Sequence, residues 1–237
     1  MTKRINTKFA KLIKYYSLIN HNLIYDNQSI NRYKSKDLTF SGNKGNQLIK
    51  LQDSIKRIKD CKLKKNATNL VFSDGSHESK IMIVGEGPGA NEDKEGLPFV
   101  GRAGQLLDRM LLSINLNRKN VYITNVVNYR PPENRRPTDE EIARYLPYLI
   151  KHIEIINPKI LILLGSTALN TIIGNLEVIS KARGKWIEKK IGKCSTLVIA
   201  SFHPAFLMRQ PAQKKMAWID LKMIRQKIKE LKIKIEK

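Results

Sequence analysis

The chain has 237 residues, 41% of them hydrophobic, which suits one sizeable domain with a full core, or such a domain plus an extension. Lys and Arg outnumber Asp and Glu 44 to 21, and the formal charge of +23 points to a polyanionic partner such as nucleic acid, unless it reflects only a generally basic surface. Two distant cysteines, Cys61 and Cys194, speak against a disulfide framework, and the longest apolar run, "ILILLG", is too short to span a bilayer, so a soluble, cytoplasmic monomer is expected.

Residues 1–45 are polar and Asn-rich, begin with a basic, mildly amphipathic stretch and end in "SGNKGN"; they read as an extension to a domain spanning 46–237. A helical pattern follows in "QLIKLQDSIKRIKDCKL". The first strand pattern is "KIMIVG" (80–85), and it runs into the glycine-rich stretch "GEGPGANEDKEGLPFVGRAGQLL". Next come a helix in "GQLLDRMLLSI", a strand in "NVYITNVV" (120–127) and a long helix in "TDEEIARYLPYLIKHIEII", with Thr138 as its N-cap. A strand in "KILILLG" (159–165), a helix in "TALNTIIG", a strand in "TLVIASFH" (196–203) and a basic closing helix complete the chain. Strands alternating with helices predict a three-layer α/β/α domain around a four-stranded parallel sheet. In such sheets ligands bind beyond the carboxyl ends of the strands. Those ends carry Gly85-Glu86, Asn125, Gly165-Ser166 and His203, so a site is expected there.

The segment "GEGPGA" fits the dinucleotide fingerprint, with Gly85, Gly87 and Ala90. That fingerprint needs a helix to start at once, whereas Gly96 and Pro98 predict a continuing loop through "NEDKEGLPF". The second strand ends in "NYRPP" without a ribose-binding acid, and no Gly-Lys-Ser/Thr is present for a phosphate loop. A nucleotide cofactor is not expected.

The loop with its embedded Phe, together with "TNVVNYRPPENRRP" and "HPAFLMRQP", resembles the family 4 uracil-DNA glycosylases from about Cys61 to Trp218. The resemblance implies cleavage of the N-glycosidic bond of deoxyuridine in DNA after the base is flipped into a pocket. It implies that Phe99 stacks on uracil beside Gly87, that Asn125 reads its N3 and O4, and that Glu92 fills the space beside C5. Asp93 is the alternative inward acid. His203 corresponds to the donor at O2, where charge gathers as the bond breaks. Glu86 is the candidate for holding water or stabilising the sugar cation, and Gly87 stands where other uracil glycosylases carry an Asp. Leu207, Met208 and Arg209 match a wedge loop; Arg102, Arg130, Lys181 and Arg183 are candidate phosphate contacts. His21, His77 and His152 lack a motif and read as surface groups. Relatives that trap uracil-DNA covalently carry an inserted basic loop with a His near "SKARGKW"; this chain has neither, which disfavours a trapping or non-catalytic role.

Members of the family usually hold a four-iron, four-sulfur cluster through four Cys thiolates. The matching positions here are Ile58, Cys61, Tyr129 and Tyr145, so only Cys61 remains and a cluster-free protein is expected.

Overall fold

The four apolar runs pair in parallel at the centre of one sheet in the computed structural model of the chain, which describes residue 38, residues 40–174 and residues 178–235. The expected extension lies outside the described residues up to residue 37; the first described helix, α1 (Lys44–Lys56), starts two residues ahead of the expected domain boundary, capped by the Asn43 side chain. The central strands are β2 (Ile81–Gly85), β3 (Tyr122–Asn125), β4 (Ile160–Leu164) and β6 (Cys194–Ser201). Successive residues along β2 and β4 enter opposite cores: Met82, Val84, Leu161 and Leu163 face one side, and Ile81, Ile83, Ile160 and Ile162 the other. Burial on both faces is why these strands read as unbroken apolar runs. One face is covered by α1, α5 (Asp139–Ile156), α6 (Ser166–Ile173) and the short α7 (Ile179–Ala182), the other by α4 (Arg102–Leu112) and α9 (Lys214–Glu230). Thr138 caps α5 as expected, in a reciprocal pair with Glu141.

The sheet has six strands, not four. Its order is β1-β3-β2-β4-β6-β5, where β1 (Asp74–Gly75) and β5 (Trp186–Ile191) are antiparallel edges. Two residues give β1 no periodicity to read, and the charged "WIEKKI" of β5 has the exposed pattern of an edge strand. Three further expectations change. The helix expected over "QLIKLQDSIKRIKDCKL" ends at Lys56 with Arg57 as its C-cap; the chain then turns through Asp60, whose φ is +51°, into a short α2 (Lys62–Asn66). A one-turn helix, α3 (Ala90–Glu95), forms inside the glycine-rich stretch and stops at Gly96 in the left-handed conformation. His152 is buried, its ring stacked on Phe72 and its Nε2 2.7 Å from the Tyr122 hydroxyl; it sits on the core-facing side of α5. His77 is exposed, as expected, and His21 lies outside the described residues.

From β2 the chain passes to β3 on one side and later returns to β4 on the other. The carboxyl ends of β2 and β4 therefore flank the switch point, where such sheets open a crevice.

Candidate active site

A cavity of about 170 Å³ opens at those strand ends, lined by Glu86, Gly87, Glu92, Phe99, Asn125 and His203 among others. The sequence-predicted pocket residues therefore come together in one place. Asn125 ends β3 and is 3% exposed, and its Oδ1 is a buried acceptor without a protein donor. An unpaired buried amide oxygen is costly unless a ligand or water satisfies it. Gly85 shows how tightly this corner closes: a Cβ there would lie 2.5 Å from Phe99 Cζ and would also strike Asn125 Oδ1.

Phe99 forms one wall, buried, with its ring 5.5 Å from that of His203 and inclined by 29°. His203 is the N-cap of α8 (Pro204–Arg209), and its Nδ1 accepts the Ala205 N–H at 3.2 Å. Burial pulls its pKa down to about 4; Arg209 pushes the same way and Glu92 opposes. The ring is therefore neutral at pH 7, with Nδ1 as acceptor and the proton on Nε2.

The two adjacent acids divide their work. Glu92 lines the cavity, its Oε1 accepting from Val100 N–H (3.0 Å) and Gly101 N–H (2.9 Å) and its Oε2 from Gly89 N–H (3.1 Å). Asp93 turns the other way and accepts from Thr68 and Asn69 N–H. That resolves the alternative in favour of Glu92 as the cavity acid. Glu86 follows β2; its Oε2 accepts from the Thr167 hydroxyl and lies 3.9 Å from Arg136 Nε, which itself donates to Thr167 Oγ1 at 2.9 Å. Thr167 sits in the first turn of α6, so this contact bridges the switch point. At Gly87 a Cβ would come 2.8 Å from Val127 Cγ2.

A profile of the Uracil DNA glycosylase superfamily matches residues 72–222. The chain belongs to that superfamily. It is 46% identical over 160 residues to the type-4 uracil-DNA glycosylase of Thermotoga maritima, covering 67% of this chain and 82% of that protein. The type-4 enzyme of Sulfurisphaera tokodaii is 42% identical over 184 residues, 76% of this chain and 84% of that protein. That of Pyrobaculum aerophilum is 42% identical over 169 residues, 70% and 86% respectively.

As a uracil-DNA glycosylase superfamily member, the chain departs from two expectations for its DNA-facing residues. Leu207 is 1% exposed and packs into the core formed with α4 and α9, so it is not presented as a wedge; Met208 is partly buried and Arg209 exposed. Arg183 is committed to the buried Asp220, with Nε 2.9 Å from Oδ2, and donates to the Met216 carbonyl, so it braces α9 against the sheet and is not available as a phosphate contact. Arg102 and Lys181 are exposed, and Arg130 donates to Asn134 Oδ1 at 2.8 Å. Sequence reading missed Thr167. A threonine at a helix start carries no motif, and only the fold brings it to Glu86.

At the family's cluster positions, Cys61 Sγ lies 3.3 Å from the Tyr145 hydroxyl, Tyr129 shares the same apolar core and Ile58 packs against it. This set offers one thiol, two phenols and an alkyl group, which does not fit a four-thiolate cluster. Among the described residues no group of three or more His, Cys, Asp and Glu is placed to hold a metal ion. No helix among them is long and apolar enough to cross a membrane.

Proposed function

We propose that this chain is a monofunctional uracil-DNA glycosylase, hydrolysing the N-glycosidic bond of deoxyuridine to leave an abasic site in DNA. The observation that carries the reading is the orphaned Oδ1 of Asn125 in a cavity walled by Phe99 and edged by His203. Uracil N3–H donates to that oxygen while the amide nitrogen donates to O4. Cytosine presents the reverse polarity at both positions and would leave buried groups mispaired, which discriminates strongly. Glu92, held rigid by three amides, occupies the side where the methyl of thymine would fall.

The C1′–N1 bond breaks with its electron pair moving onto the base, and the Nε2–H of His203 meets the charge gathering on O2. A donor aimed at charge that exists mainly in the transition state lowers the barrier without tightening substrate binding equally. Water adds to C1′, its proton is lost, and the uracil anion takes up a proton on release. Glu86 holds that water or faces the sugar cation; Thr167 and Arg136 fix one of its oxygens and leave the other for this role. With Gly87 in place of a stronger base, departure of the base carries more of the catalysis.

Uracil-containing DNA is the partner, met by a chain of formal charge +23 through Arg102, Arg130, Lys181, Met208 and Arg209. The protein acts as a monomer on cytoplasmic DNA. It works without an iron–sulfur cluster, because the side chains at the ligand positions lack three of the four thiolates. Incubation with a uracil-containing oligonucleotide followed by alkaline cleavage tests the reading; strand breakage no greater than in a thymine control would overturn it.

A further inference from the structure

Phe99 is a bulky residue at a φ of +55°, a region that is strained for a non-glycine residue and persists only where the surroundings enforce it. The enforcing group is Arg118, which lies outside the cavity. Its guanidinium donates to the Pro98 carbonyl at 3.1 Å and to the Phe99 carbonyl. Two carboxylates aim it: Asp108 on α4, 2.9 Å from Nε, and Asp74 on β1, 2.5 Å from Nη1. Gly104 lies against the same carbonyl, where any Cβ would collide with Phe99 O. Asp74 is itself delivered by the two-residue edge strand, whose register opposite Ile123 belongs to the β3 that ends in Asn125. One strand pair thus sets both the base-reading amide and the clamp on the aromatic wall.

We propose that Arg118, aimed by Asp74 and Asp108, is a positioning residue for base recognition: it fixes the height of the Phe99 ring relative to Asn125 and His203. This rests on Phe99 being the surface on which uracil stacks. A planar fork of five donors can serve two carboxylates and two carbonyls at once, whereas a lysine ammonium, with three donors at one point, cannot hold that geometry.

The test is a double-mutant cycle between Arg118→Lys and Phe99→Leu, reading inhibition by free uracil, single-turnover excision and affinity for uracil-free duplex. Arg118→Lys is expected to weaken uracil inhibition and slow excision about ten-fold, with duplex affinity held within about two-fold because the charge is kept. In the Phe99→Leu background the same change should cost less than about two-fold. Multiplying effects would overturn the proposal, as would loss of duplex affinity in step with excision. If Arg118→Lys does not fold, Asp108→Asn takes its place in the cycle, with a smaller expected loss that must again vanish without the ring. Unchanged uracil inhibition and excision in Phe99→Leu alone would instead sink the stacking role of Phe99, a result distinct from additivity.

Discussion

The Nδ1 of His203 accepts the backbone N–H of Ala205 at 3.2 Å, and this one contact decides which ring nitrogen carries the proton. A donor on Nε2 follows, without any need for a charged ring. His203→Ala is expected to slow single-turnover excision on the order of 10²–10³-fold, the usual loss for a single transition-state donor. Affinity for uracil-containing DNA should fall far less. Equal losses in rate and binding would mean that His203 acts on the ground state.

Acid should destabilise the protein through two histidines. Burial lowers the pKa of His152 from 6.5 to about 3 and that of His203 to about 4. As pH falls below about 6.5 the unfolded chain takes up these protons first, so the stabilising effect is complete above that value and is lost toward pH 4 and below. Urea midpoints should drop steeply between pH 6.5 and 4. His152→Phe, which can keep the stacking on Phe72, should flatten that slope. An unchanged slope would remove His152 from the account.

Thr167 donates to Glu86 and accepts from Arg136, so Thr167→Val leaves the carboxylate without its nearest partner while keeping shape. Hydrogen bonds to charged groups contribute about 1.5–3 kcal/mol. Single-turnover excision should fall at least about ten-fold, with little change in affinity for uracil-containing DNA. A loss confined to affinity would assign Glu86 a binding role only.

These residues mark where the sequence was legible. The four central strands and their polar ends could be read because burial on both faces leaves an apolar run and the site residue follows it directly. Glu86, Asn125 and His203 were visible for that reason. Arg118 and Thr167 were not, since their meaning lies in contacts across 19 and 81 residues of chain. Leu207 and Arg183 were misplaced for a related reason: an apolar residue or arginine after a motif reads the same whether it faces solvent or core. The short α3 was hidden because Gly96, which reads as a breaker, serves as its left-handed C-cap.

Restoring an acid at Gly87 should not improve the enzyme by itself. A side chain there meets Val127 Cγ2 at 2.8 Å, closer than Cβ contacts allow, with Pro131 and Pro137 each 3.9 Å away. Gly87→Asp is expected to lower excision, and adding Val127→Ala should recover part of the loss by opening that space. Higher activity in the single variant would show that the local backbone yields and that a stronger base was all the site lacked.

The positions where the family resemblance implies cluster ligands, Ile58, Cys61, Tyr129 and Tyr145, pack into one core. Cys61 and Tyr145 are buried together, thiol against phenol at 3.3 Å, with Tyr129 in the same core and the Tyr145 hydroxyl pushed to higher pKa by burial and by Cys61. Three of these four side chains offer aromatic or aliphatic packing where a four-iron cluster would need thiolates. Protein purified without oxygen should therefore contain no stoichiometric iron or sulfide and show no thiolate-to-iron absorption. Tyr145→Ala should cost about 3–5 kcal/mol of stability, as for other large buried aromatics, whereas Tyr145→Phe should cost only about 1 kcal/mol through the lost hydroxyl contact. Both variants that fold should retain excision, because none of these side chains lines the uracil cavity. Stoichiometric iron, or excision lost in the fully folded Tyr145→Phe variant, would show that this cluster of residues does more than brace the fold.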